Sequence, residues 1–213
     1  DEFVNNSPQG SIYSKSFYLQ SIGYPFSIGV IEQDLRILAG IILAKNELGV
    51  YSNPLFVKYL GILYADRTKV DLVKGRKKYK IDRLIIENLP KRVPISYLFH
   101  PNFTNWLNFF WSGYTQVTHY TYQICFSDKY DFRNHYIEKV KGPIRIAKKN
   151  QLNIVDVELN SFCNIIEKTY KARGKKPPYK KERLVNILKE LEMHGCFYYK
   201  GISDTYGNIH AVA

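Results

Sequence analysis

Two apolar runs of strand length, residues 26–31 and 35–43, follow one another with only a polar turn at Gln33-Asp34 between them. So short a connection cannot carry a crossover helix, so the two strands must lie antiparallel. A second turn at Lys45-Asn46 and the run Val50-Tyr51 extend them into a meander. Helical spacing then follows over residues 71–89, with Leu72, Ile81, Leu84, Ile85 and Leu89 on one stripe and Pro90 as the stop. Hairpin-linked strands beside separate helices give an α+β class with mostly antiparallel sheets. The cations in the middle of that helix, Lys74, Arg76, Lys77, Lys78 and Lys80, read as a solvated face.

Around this frame, residues 1–10 read as a frayed terminus and 12–20 as a short helix with Tyr13 and Phe17 inward. Residues 52–61 form a long loop carrying Asn53 and Tyr59, with Tyr51 at its start, and loops of that length tend to be functional. The stretch 99–124, FHPNFTNWLNFFWSGYTQVTHYTYQI, holds both tryptophans. It predicts the end of a buried strand at 97–99, a capping residue within 102–105, and a short helix from Trp106 closed by Gly113. A strand over 115–124 follows, since Val117 and His119 alternate with Thr118, Tyr120 and Tyr122. The first unit thus spans 1–126, in the order β-β-β-α-β-α-β.

From Ser127 the pattern restarts. Residues 130–150 are amphipathic and basic, and Gly142-Pro143 predicts a kink or split there because proline lacks the amide hydrogen. A strand at 153–157, a helix through Leu159, Phe162, Cys163, Ile166 and Tyr170, and a basic loop at 175–179 come next. A helix through Leu184, Ile187, Leu188 and Leu191 precedes a hairpin of 196–202 with 209–213. The second unit, 127–213, therefore reads strand, helix, helix, strand, strand.

The balance of 31 Lys+Arg against 19 Asp+Glu, a formal charge of +12, favours an anionic partner: nucleic acid, a phosphate-bearing small molecule, or an anionic surface. Cys125, Cys163 and Cys196 lie far apart in apolar runs and read as buried free thiols in a reducing compartment. No apolar run approaches the ~20 residues a bilayer requires, so neither a transmembrane segment nor a secretory signal is expected, and a cytoplasmic location is. No metal-ligand spacing, P-loop or Ser-His-Asp arrangement is present. The run 209–213 stops inside an apolar strand, which predicts a fragment whose sheet edge pairs with a second copy or is poorly ordered.

Several segments carry a resemblance: YSNPLFVKYLG at 51–61, FHPNFTNWLNFFWSGY, THYTYQI at 118–124, IRIAKKN at 144–150 and YKARGKKPPYKKE at 170–182. Together and in order they resemble the FemAB-like aminoacyltransferases and related acetyltransferases, members of the GNAT N-acyltransferase superfamily. The resemblance implies two tandem GNAT-like units, the second incomplete, with the acyl-CoA-binding part of that unit lying beyond residue 213. It implies transfer of an acetyl or aminoacyl group from acyl-CoA or aminoacyl-tRNA to an amine of a sugar or peptide cell-envelope precursor.

Such chemistry needs a base for the amine and donors for the oxyanion, not a nucleophile. His119 is the candidate base, with Tyr120 and Tyr122 positioning the amine; a core histidine satisfied by its neighbours is the competing reading. Tyr51, Asn53 and Tyr59 on one loop, and Lys175, Lys176 and Tyr179 on another, are candidates to flank an anionic acceptor, with Arg145 on the basic helix. Exposed connecting loops are the alternative for both. A non-catalytic binding module and a tRNA-binding surface over 139–149 and 168–183 stay open as other classes of function.

Overall fold

The computed structural model describes residues 1–65, 75–122 and 136–213, and forms two compact units, Asp1–Val117 and Thr118–Ala213. Lys74, Leu72, Cys125 and the expected boundary at 126/127 lie outside the described residues, as do the side chain of Arg76 and the end of the expected 115–124 strand. The architecture is mixed α+β with mostly antiparallel sheets.

In the first unit, β1 (Phe26–Gln33) pairs antiparallel with β2 (Arg36–Ala44), Gln33 facing Arg36 across a two-residue loop. The third strand on this sheet is β4 (Ile62–Tyr64), antiparallel to β2, so that β2 is central. The meander's expected third strand, β3 (Tyr51–Ser52), keeps a single antiparallel bridge, Tyr51 with Lys45, and forms its ladder parallel with β5 (Ile95–Ser96). Against the sheet lies α3 (Gly75–Glu87), whose Ile81, Ile85 and Ile86, with Leu89 beyond its end, pack on Leu38, Ala39, Ile41, Ile62 and Tyr64. Leu84, expected inward, is exposed, and Ile86 takes its place in the core. Phe109 of α4 (Leu107–Trp111) closes the cluster. Gly113, at φ 86°, ends that helix as expected, and the side chain of Asn105 accepts the Leu107 amide at 3.1 Å.

Residues 1–10 are not frayed. Helix α1 (Glu2–Asn6) leads to buried Ser7 and Gln9, and the Gln9 carboxamide reaches across to the rest of the unit. A single turn of 3-10 helix (Ile12–Ser14) and α2 (Ser16–Ser21) follow, with Tyr18 and Leu19 buried. The expected strand over 115–124 is absent from the described part, 115–122, which has no regular structure and exposed side chains. Alternation makes a strand only where a neighbouring strand and a covering face exist, and neither is supplied here among the described residues. Residues 97–99 likewise lie beyond β5, outside any strand.

The first described helix of the second unit is α5 (Glu138–Lys149), one helix running through Pro143 rather than two. Its sixth residue is the proline, so the carbonyl deprived of a partner belongs to Lys139 in the exposed first turn, where water can serve it. The sheet β6-β7-β8, of Asn153–Val155, Gly201–Ser203 and Ile209–Val212, is antiparallel throughout. Between its first two strands come α6 (Leu159–Ala172) and α7 (Lys181–Met193), which bury Phe162 and Cys163 with Leu184, Ile187 and Leu188. Positive φ at Gly174 and Gly195 terminates the two helices. The strand at 209–212 is the third of its sheet, paired along one side with β7, and the backbones of Lys200 and Ala213 exchange hydrogen bonds of 2.8 and 3.0 Å beside it. Cys163 is buried and free, and burial pushes its thiol upward; Cys196, expected to be buried, is exposed because it follows the helix-ending Gly195.

Candidate functional site

The loop from Ser52 to Gly61 is held chiefly by the Asn53 side chain. Asn53 accepts the Leu98 amide at 2.7 Å and donates to the carbonyls of Lys58 and Leu98 at 3.3 and 3.4 Å. Its role is to clamp the loop to the residues after β5. Tyr18 adds a second tie, its hydroxyl donating to the Phe56 carbonyl at 2.6 Å. The clamp brings the backbone of Gly61 against the Phe99 ring: φ there is 120°, and a Cβ would stand only 2.1 Å from the ring. Only glycine fits both constraints.

Above this contact is a recess of about 10 Å³, room for one water, lined by Gln9, Ser14, Tyr59, Leu60, Gly61 and His100 among others. Tyr59 meets His100 edge-on at 5.5 Å and Tyr13 at 6.2 Å. The Asn102 amide donates to His100 Nδ1 at 3.1 Å, which fixes the neutral tautomer with the hydrogen on Nε2. Burial holds the imidazole below its ordinary pKa, so at neutral pH it is an uncharged donor and not a base at Nδ1. With the Ser14 hydroxyl and the Gln9 carboxamide, the recess can receive a single polar atom such as a carbonyl or hydroxyl oxygen.

Gln9 links the recess to a buried carboxylate. Its Oε1 accepts the Tyr64 amide at 3.1 Å and its Nε2 donates to the Asn102 carbonyl at 3.2 Å. The Tyr64 hydroxyl donates to Asp82 Oδ1, while Lys78 Nζ at 2.6 Å and Asn108 Nδ2 at 2.7 Å donate to Oδ2. Asp82 is 1% exposed. The Lys78 ammonium also reaches the Tyr64 hydroxyl at 2.9 Å and lies over the Tyr64 ring at 4.5 Å. Burial, then the neighbouring carboxylate, keeps the Tyr64 phenol far above its ordinary pKa, hence neutral. Asn108 Oδ1 is buried without a partner among the described residues. The quartet joins β4, α3 and α4 into a fixed support around a carboxylate that is itself buried. Lys78 is therefore not part of a solvated face.

The other sequence candidates fall as follows. Tyr51 is half-buried with the Lys45 ammonium 4.9 Å from its ring centre. His119, Tyr120 and Tyr122 are exposed, the two tyrosines at 94% and 100%. His119 is thus neither the strand residue nor the satisfied core histidine that its sequence context suggested. Arg145 pairs with Glu138 at 2.5 Å on the surface of α5. Lys175 and Lys176 are exposed after α6, the Lys175 amide closing the helix on the Tyr170 carbonyl, and Tyr179 meets the Tyr170 ring edge-on at 6.2 Å. The structure gathers Tyr59 with His100, Gln9 and Ser14; it leaves Tyr51 and Asn53 as packing and clamping residues.

Among the described residues no cluster of His, Cys, Asp and Glu can hold a metal, and no helix is long and apolar enough to cross a membrane. No family model, no curated protein and no solved structure matches the chain.

One feature of the sequence pointed to a residue that periodicity passed over. Asp82 falls on the apolar stripe with Ile81, Ile85 and Leu89, and a carboxylate there must be paired when buried. His100 carried no such signal, since its partner is a backbone amide two residues away.

Proposed function

We propose that the protein is an N-acyltransferase of the FemAB-like GNAT kind, transferring an acetyl or aminoacyl group to an amine of a sugar or peptide cell-envelope precursor. The observation that supports this reading is the order β6-α6-α7-β7-β8 with an antiparallel sheet β6-β7-β8, the arrangement implied by the resemblance for the opening half of a second acyltransferase unit. In the transfer, the amine nitrogen attacks the carbonyl carbon of a thioester or of an aminoacyl-tRNA ester. The C–N bond forms, the C–S or C–O bond breaks, and the amine proton passes to a base. His119, exposed, is assigned that base, and the cations Arg145, Lys175 and Lys176 of the same unit are assigned to the acceptor's anionic groups; Tyr59 and the neutral His100 donor form a polar recess of the first unit. The whole would act in the cytoplasm on an anionic acceptor.

Equilibrium dialysis with labelled acetyl-CoA and with aminoacyl-tRNA tests the donor. Binding of either supports the reading, and the two arms identify which. Retention of neither favours a second reading, a binding module without turnover, to which the one-water size of the recess gives weight. If tRNA binds, affinity falls steeply with salt, because α5 presents Lys139, Lys141, Arg145, Lys148 and Lys149 with no buried residue.

A further inference from the structure

We propose that α5 lies along the surface of an anionic lipid bilayer, its apolar half turned into the acyl boundary. No residue of this helix is buried. At about 3.6 residues per turn, Val140, Pro143, Ile144, Ile146 and Ala147, with Ile137 at the N-cap, share one half of its circumference, while Lys141, Arg145, Lys148 and Lys149 share the other. The apolar half stands in water: Ile137, Val140, Ile144 and Ile146 are 66%, 41%, 39% and 61% exposed. A helix divided in this way, with its polar half cationic, suits the plane of a membrane interface.

Charge on the helix itself selects the occupant. Its cations, Lys139, Lys141, Arg145, Lys148 and Lys149, stand against one carboxylate, Glu138, which is taken up by Arg145 at 2.5 Å and Lys141 at 3.7 Å. Among the described residues no carboxylate lies within ion-pair distance of Lys139, Lys148 or Lys149. Two of these three border the apolar half. Lys148 follows Ile144 by one turn on one margin, and on the other Lys139 falls between Ile146 and Pro143 around the circumference. From there the aliphatic stems run along the apolar surface and the ammonium groups reach lipid phosphates at headgroup depth. Nucleic acid would satisfy the cations but leave Ile137, Val140 and Ile144 in water, since aliphatic side chains give bases no stacking platform. A second copy of the helix would bring like charge to the same surface. The inference goes beyond the acyltransferase reading and does not rest on it, so either can fail without the other.

The test is co-flotation of the full chain with vesicles of phosphatidylcholine containing phosphatidylglycerol, and with vesicles of phosphatidylcholine alone. The expected result is binding to the anionic vesicles, about tenfold weaker on the neutral ones and weakening with salt. The double substitution Val140→Ser and Ile144→Ser, at exposed positions, lowers anionic binding by about fivefold or more with unchanged circular dichroism. Lys139→Glu with Lys148→Glu leaves α5 as many carboxylates as cations and abolishes the anionic preference while the apolar half stays intact. No binding to anionic vesicles, equal binding to both kinds, or binding indifferent to Val140→Ser and Ile144→Ser would each overturn the proposal. So would capture of tRNA, unaffected by those two serines, by a protein that ignores vesicles, which would make the helix a nucleic-acid surface. Lipid-free association that rises with concentration and is lost in the serine variant would also overturn it, by showing the apolar half covered by protein.

Discussion

Asp82 is where a single atom group decides most. Its carboxylate satisfies Tyr64, Lys78 and Asn108 at once, and no neutral side chain of that size has the acceptor capacity to replace it. Asp82→Asn leaves the Lys78 ammonium without its counterion and sets an amide donor against the other donors. Because Lys78 keeps about a quarter of its side chain in water, the expected loss is at the lower end for a broken buried pair, about 3 kcal/mol in urea unfolding. Tyr64→Phe costs less, about 1–2 kcal/mol, since it removes one of three donors. The two losses will not add, as they share the carboxylate.

His100 yields a pH prediction at the same scale. Its folded pKa is below the unfolded value because burial disfavours the charged ring, so the unfolded chain binds more protons as pH falls. Stability is therefore fully present above the unfolded histidine pKa and declines as pH drops toward the lower folded value. Protonation would also place a hydrogen on Nδ1 against the Asn102 amide. Denaturant midpoints of the wild type should fall between pH 7.5 and 5.5 more than those of His100→Gln; equal falls would deny His100 this role.

Among the elements, the β1–β2 loop is made of Asp34 and Leu35, both at positive φ, 51° and 59°. That pattern suits a two-residue hairpin with the right-handed twist, yet leucine is a poor occupant of left-handed backbone. Leu35 is almost wholly exposed, so no packing is lost on replacing it. Leu35→Gly should raise stability by about 1 kcal/mol, read from thermal or urea midpoints; a fall would mean that the leucine is covered in solution.

The sequence rules did well where local signals and packing agree. The hairpin, α6, α7 and the glycines that end them were legible because period, length and punctuation coincide. They failed over 115–122, where alternation without a partner strand fixes nothing; at Pro143 the helix is not split, because an exposed first turn absorbs the lost hydrogen bond. They also missed the Gln9 brace and the neutral His100, because both depend on backbone groups that only the fold brings near. The pairing of β3 with β5 belongs to the same class: four residues cannot announce a parallel ladder across the intervening helix.

At the scale of the whole molecule, two α+β units and a charge of +12 go with a proposed amide-forming activity whose base, the exposed His119, lies in the second unit. If His119 is the base, His119→Ala should lower kcat by about a hundredfold or more and leave KM nearly unchanged. The most direct measurement is mass spectrometry of amino-sugar and cell-envelope peptide acceptors after incubation of the protein with acetyl-CoA or with charged tRNA. The account predicts an acceptor bearing one new acyl group in base-stable amide linkage, with free CoA or uncharged tRNA as co-product. No amide product with any donor and acceptor, together with no retention of either donor in dialysis, would contradict it.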